Sequence, residues 1–210
     1  MQTLLIATTN AGKLREIVPI LAGLPIDLLT LGARTEWQTI APPEETGETF
    51  ADNARLKAEY YAQATGLVTV AEDSGLEIDA LDRAPGVESA RFGGTEASYP
   101  EKFRLIYDAL RQRRVREINA RFVCAIAVVR PSSPHSRSAV IFEASGTIEG
   151  RIAQEPKGSG GFGYDPIFYY PPFGCTLAEA GARKSTVSHR GQAFRALRRF
   201  LEASPQPFSP

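Results

Sequence analysis

Apolar residues recur with two different periods along this chain, and the places where the period changes mark its elements. Thr3 to Thr8 is a short apolar run closing on threonine, which predicts a first strand. Leu14, Ile17, Val18 and Leu21 then return at helical spacing, so a helix follows a short polar loop. Ile26 to Leu31 predicts a second strand, and Gly32 to Pro43 a loop with Trp37 packed at the core edge. Phe50, Ala54, Ala58 and Tyr61 line one face of a helix that opens after Thr49 and runs to about Ala64. Thr49 is its N-cap, with Asp52 three positions on. Leu67 to Ala71 fills a buried strand that breaks at Glu72-Asp73-Ser74-Gly75.

The second half continues the pattern. Glu77 to Leu81 alternates and predicts a short strand, and Ala84 to Val87 a turn. Ser98 caps a helix that buries Phe103, Ile106, Tyr107 and Leu110, with Arg111–Arg116 as its solvated end. Arg121 to Val129 is apolar on both faces, as in a central strand. Arg130 to Ser138 is a hairpin-type loop. Ala139 to Ile152 alternates, with Val140, Phe142, Ala144 and Ile148 on one side and Glu143, Thr147 and Glu149 on the other. This antiparallel pair, added to strand–helix–strand units, makes the sheet mixed. Thr176 to Ala182 predicts a short helix. A last helix starts at Ser188 and buries Ala193, Leu197 and Leu201, before a proline-rich tail, Ser204 to Pro210, expected to be disordered.

Composition narrows the function classes. The chain has 210 residues, 43% hydrophobic, with 24 bases against 24 acids, so no global field recruits nucleic acid or a membrane surface. Two cysteines, Cys124 and Cys175, lie far apart without metal-ligand spacing, and a reducing cytoplasm is the default. The opening MQTLLIATTN has too short an apolar run and no basic flank for a signal peptide to be expected, and no segment reaches the roughly 18 apolar residues of a spanning helix.

Candidate chemistry lies where the periods break. Adjacent strand residues face opposite ways, so Glu72 and Asp73 serve one ligand only if the strand has already ended. A carboxylate there sits where open α/β sheets place ligands, and it is a hard oxygen donor for Mg²⁺; the plainer alternative is a polar turn capped by Asp73. Thr8-Thr9-Asn10-Ala11-Gly12-Lys13 joins strand to helix, which suits an anion held by backbone N–H groups and a lysine, or simply a capped helix start. It is not a Walker A loop. Glu45 precedes the second helix, and Asn53 and Lys57 stand one turn apart on it. Pro156 to Pro166 carries four glycines around Phe162 and Tyr164, which suits either close approach to a ligand and stacking on a base or a flexible loop anchored by its rings. His189 and Arg190 fall in the first turn of the last helix, where the dipole disfavours cations unless a ligand compensates.

Together the blocks Ala7–Lys13 with Glu16, Glu45-Thr46-Gly47 with Asn53 and Lys57, Glu72–Leu76, Pro85-Gly86-Val87 with Ser89-Ala90-Arg91, Gly161–Pro166 with Phe168, and Ser188-His189-Arg190 resemble the Ham1/inosine triphosphatase family over about residues 3–200. The resemblance implies an α/β fold with a long, twisted mixed sheet and flanking helices, two lobes of one domain (1–203) around a central cleft, and a homodimer. It implies Mg²⁺-dependent hydrolysis of ITP, dITP and XTP to the monophosphate and pyrophosphate. Glu45 and Asp73 would bind the metal, with Asp73 also the base, although Glu72 and Glu16 stay open for that task. Thr8, Thr9, Asn10, Ala11, Gly12 and Lys13 would cradle phosphate beside Lys57 and Ser74. Phe162, Gly163, Tyr164, Asp165, Lys184, His189 and Arg190 would hold the base, with Arg190 donating to O6. Ser185 and Gly181-Ala182-Arg183 depart from the family pattern. A pyrophosphatase for another non-standard nucleotide and a non-catalytic nucleotide-binding regulator are the alternatives.

Overall fold

The structure is a computed structural model that describes residues 2–113, 118–132, 137–203 and 207–208. The arginine-rich helix end beyond Arg113, the middle of the Arg130–Ser138 loop and most of the tail lie outside the described residues.

The strands are β1 (Gln2–Ile6), β2 (Ile26–Thr30), β3 (Val68–Ile78), β4 (Asn119–Arg130), β5 (Ala139–Ile152), β6 (Phe168–Tyr170) and β7 (Cys175–Thr176). The helices are α1 (Ala11–Leu21), α2 (Thr35–Gln38), α3 (Phe50–Thr65), α4 (Tyr99–Arg113), α5 (Lys184–Val187) and α6 (His189–Ala203). The strands form one sheet in the order β2-β1-β3-β4-β5-β6-β7. β1 runs parallel to β2 and β3, with Leu4 opposite Leu28 and Val68, as strand–helix–strand crossovers require. β6 is antiparallel to both β5 and β7. The sheet is therefore mixed, as expected.

Two compact units divide the chain. The first comprises residues up to Asp73, Cys124–Gly146 and those from Arg190 on; the second is Ser74–Val123 with Thr147–His189. The core of the first gathers Leu4 and Ile6 of β1, Ile17 and Leu21 of α1, Val70 of β3, Cys124, Ile126 and Val128 of β4, and Ala193, Phe194 and Leu197 of α6. Val18 stands at the margin of the α1 stripe and is 40% exposed. Phe208, in the tail expected to be disordered, is buried in this same core. The core of the second gathers Leu76 and Ile78 of β3, Phe103, Ile106 and Leu110 of α4, Phe122 of β4, and Ile148, Ile152, Ile167 and Phe168.

Three expectations are corrected. The β3 strand does not break after Ala71: it carries Glu72 to Gly75 within the ladder and ends at Ile78, so the separate strand at Glu77–Leu81 does not exist and Asp79–Leu81 is a 3-10 turn. Local turn propensity loses because both buried carboxylates find half-buried cationic partners. At Thr176–Ala182 a helix-start signal is real, since Thr176 and Glu179 bond reciprocally (Thr176 N to Glu179 Oε2 2.9 Å, Glu179 N to Thr176 Oγ1 3.3 Å). Gly181, at φ 56°, stops it after one turn. Finally, Gly32–Pro43 holds the short helix α2, and Trp37 on it is buried.

Candidate active site

The first unit contains two buried clusters of charge on consecutive residues of β3. Because the strand continues, Glu72 and Asp73 point to opposite faces and meet different partners. Asp73 Oδ1 meets the Lys57 ammonium at 2.8 Å, and that ammonium lies 2.7 Å from Glu45 Oε1. Asn53, one turn before Lys57 on α3, is fully buried; its amide donates to Asp73 Oδ2 (3.3 Å) and its carbonyl accepts from Gly47 N (2.8 Å). Thr49 caps α3 through Asp52 N (3.1 Å), which fixes where this face begins.

Glu72 faces Lys13 at 2.8 Å and Arg190 Nε at 3.2 Å, and the Cys124 thiol donates to it at 3.0 Å. Arg190, only 2% exposed, also reaches Glu16 of α1 at 3.0 Å. The two carboxylates are driven apart electrostatically. Burial would raise Glu72, but Arg190 and Lys13 outweigh it and hold its carboxyl well below the usual range. Burial wins at Asp73 and raises its carboxyl in spite of Lys57. Burial opposes charge on Lys57 as well, yet Asp73 and Glu45 together leave its ammonium above the ordinary lysine value.

Asn10 caps α1. Its Oδ1 accepts from Gly12 N (2.8 Å) and Lys13 N (3.2 Å), and Thr8 Oγ1 accepts from Asn10 N (3.2 Å). The cradle expected for phosphate is thus already shaped by its own side chains, and the backbone donors of Thr8, Asn10, Gly12 and Lys13 are engaged.

The second unit holds a compact constellation around the glycine loop. Asp165, 2% exposed, accepts at Oδ2 from Phe162 N (2.8 Å) and from the Lys184 ammonium (2.6 Å). Lys184 Nζ also stands 4.8 Å from the Phe162 ring centre. Gly161 makes this possible: its φ is 69°, and a Cβ there would overlap Asp165 Oδ2. Ser74 is half-buried on β3. His189 stacks on Phe122, 4.9 Å between ring centres.

Two predicted contacts change. Tyr164 is buried, its hydroxyl donates to Ser89 O (2.8 Å), and it packs edge-on to Tyr99; its side chain anchors the loop to the core instead of facing a ligand. Arg190, read from sequence as the donor to O6 of the base, gives Nε and one terminal nitrogen to Glu72 and Glu16.

A profile of the Ham1 family matches residues 4–200. The chain belongs to the Ham1 family. It is 42% identical to the dITP/XTP pyrophosphatase of Photorhabdus laumondii, over 93% of this chain and 95% of that protein. It is 43% identical to a dITP/XTP pyrophosphatase of Thermus thermophilus, over 96% of this chain and 93% of that protein. The solved structure of a Ham1 protein from Coxiella burnetii superposes with a TM-score of 0.86 at 39% identity, covering 97% of this chain and all of the other.

In this Ham1 chain no group of three or more His, Cys, Asp and Glu side chains converges as a metal cage among the described residues. Glu45 and Asp73 nonetheless meet at one cation, the Lys57 ammonium, within 2.8 Å. Two carboxylates converging on one positive point fit Mg²⁺, which binds through one or two carboxylates and completes its shell with water and phosphate. Sequence reasoning missed Cys124, whose apolar strand context gives no sign of a polar partner, and Ser89, whose hydroxyl accepts from Leu76 N (2.9 Å) and whose carbonyl holds Tyr164. No helix of the described residues is long and apolar enough to cross a membrane.

Proposed function

We propose that this chain hydrolyses the deaminated purine nucleoside triphosphates ITP, dITP and XTP to the nucleoside monophosphate and pyrophosphate, clearing them from the nucleotide pool. The observation that carries the reading is the opposed pair on β3: Glu72 paired with Lys13 and Arg190 on one face, and Asp73 beside Lys57 and Glu45 on the other. Neighbouring carboxylates whose environments push them apart divide the labour of acid–base chemistry. Glu72 is too strongly paired to serve as base, which favours Asp73. The relatives' names, dITP/XTP pyrophosphatase, support the substrate class.

In this mechanism a water oxygen attacks the α-phosphorus while its proton passes to an Asp73 carboxylate oxygen. The bond from the α-phosphorus to the bridging oxygen breaks, and pyrophosphate leaves with the electron pair. Lys57 orients Asp73, and Asn53 holds the other carboxylate oxygen. Lys13, with the Thr8–Gly12 loop and Ser74, supplies donors to the phosphate oxygens. Glu45 and Asp73 would hold Mg²⁺, which when bound neutralises developing charge on the phosphate oxygens. In the second unit Phe162 offers a ring face to the base, and Lys184 donates to O6, where adenine would present a donor against a donor. Asp165, Gly163 and His189 shape that edge. The same reading takes the working form to be a cytoplasmic homodimer acting on a small nucleotide, with no nucleic-acid or membrane partner.

The test is pyrophosphate release from ITP, dITP, XTP, GTP, ATP and dUTP in parallel, with Mg²⁺ and with EDTA. Metal-dependent release concentrated in the first three is expected. Equal rates for ATP and ITP would reject the base assignment, and binding without release would reject the enzyme.

A further inference from the structure

Lys13 poses a problem for the proposed chemistry. An ammonium that serves substrate phosphate must loosen its hold on Glu72, and Glu72 is buried. The two ends of this ion pair differ in access: the Lys13 side chain is 19% exposed and that of Glu72 2%. The two oxygens of Glu72 also differ. Oε1 is the one nearest Lys13, at 2.8 Å, and Lys13 is its partner. Oε2 receives two donors, the Arg190 Nε–H at 3.2 Å and the Cys124 S–H at 3.0 Å. Lys13 is therefore held at Oε1, and Oε2 carries a bonded pair of donors that do not depend on it.

We infer that Cys124 is a positioning residue for phosphate capture: its thiol steadies Glu72 when Lys13 exchanges that carboxylate for a substrate phosphate. This rests on the phosphate role proposed for Lys13. Cys124 is fully buried in the apolar part of β4, among Ile126, Val128 and Phe194, where a valine or an alanine is the usual occupant. What those residues lack is the donor. Burial and the facing Glu72 carboxylate push the thiol well above its ordinary range, so the proton stays on sulfur. Arg190 alone is divided between two acids, Glu72 and Glu16, so it compensates Glu72 only in part once Lys13 turns away. A thiol is a modest donor, and a hydrogen bond to a charged acceptor changes an equilibrium by about tenfold.

The experiment compares Cys124→Ala, Cys124→Val and Cys124→Ser, each alone and combined with Lys13→Met, with thermal melting as the check on folding. Two readouts are taken: the dissociation constants of ITP and of inorganic tripolyphosphate in EDTA by calorimetry, and kcat and KM for ITP with Mg²⁺. The expected result is an about tenfold weaker dissociation constant and higher KM for Cys124→Ala and Cys124→Val, with kcat little changed. Cys124→Ser should restore both to near wild type. In the Lys13→Met background the Cys124 changes should have no further effect. Equal affinity for all three Cys124 variants, or the same tenfold loss with and without Lys13, would overturn the inference and leave Cys124 as packing. Failure of the wild type to hydrolyse ITP would defeat the proposed function instead, and the tripolyphosphate arm would still decide the exchange at Lys13.

Discussion

Gly161→Ala tests the base end of the site with a single methyl group. Two costs follow from the structure. The backbone at Gly161 has φ 69°, which costs a residue with a Cβ about 1 kcal/mol. The new Cβ would also overlap Asp165 Oδ2, with Asp165 Cγ only 3.0 Å away, so the carboxylate must swing by about 1 Å to reach ordinary contact. That oxygen accepts both the Phe162 N–H at 2.8 Å and the Lys184 ammonium at 2.6 Å. Weakening two charge-assisted bonds of a buried carboxylate costs about 2 kcal/mol or more. The sum, about 3 kcal/mol, lowers the melting temperature of a chain this size by roughly 6–12 °C. Because the same shift releases Lys184 from its place over Phe162, kcat/KM for ITP should fall by about a hundredfold, while selectivity for ITP over ATP narrows. The assays are a melting curve and a two-substrate kinetic comparison. A variant that melts like wild type, or that loses stability while keeping its ITP-to-ATP ratio, would refute the reasoning: in the first case about the overlap, in the second about the base.

Further outcomes can be checked independently. Asp73→Asn should reduce pyrophosphate release by about a hundredfold or more while the chain stays folded, because Lys57 keeps Glu45 as its partner; turnover within tenfold of wild type would remove Asp73 as base. Lys57→Met leaves Glu45 and Asp73 facing each other without a cation. Its melting temperature should fall in EDTA and recover with Mg²⁺, and a loss that Mg²⁺ does not reduce would count against metal binding there. Burial pushes the Tyr107 hydroxyl up to about 12 and raises Tyr164 and Tyr99 as well. Unfolded tyrosines lose their protons first, near pH 10, so the tyrosine contribution to stability should be constant below about pH 10 and fall between there and pH 12. Urea midpoints across that range measure it, and the slope should lessen in Tyr107→Phe.

Much of the site could be read along the chain because its parts are local. Thr49 announces a helix start, and i,i+4 spacing puts Asn53 and Lys57 on one turn; the structure bears out both and aims both at Asp73. The glycines at 161 and 163 announce a backbone that few other residues adopt. The family itself was legible, since its blocks are short, ordered and contiguous. The errors share a cause. Glu72 to Gly75 reads as a turn because propensity sees neighbours in sequence, whereas Lys13 and Arg190, which keep that stretch in the sheet, come from 59 residues before and 118 after Glu72. Tyr164 looked like a ligand contact because it lies in a glycine loop, but its hydroxyl is spent on Ser89, 75 positions away. The partners of Arg190 were likewise invisible: Glu72 and Glu16, which hold it, lie 118 and 174 positions away. Sequence by itself determined the family and the helices that carry its polar blocks. Only the tertiary structure decided which acid meets which base, because a buried charge is tolerated where folding brings its partner, and that partner's position is set by the whole sheet.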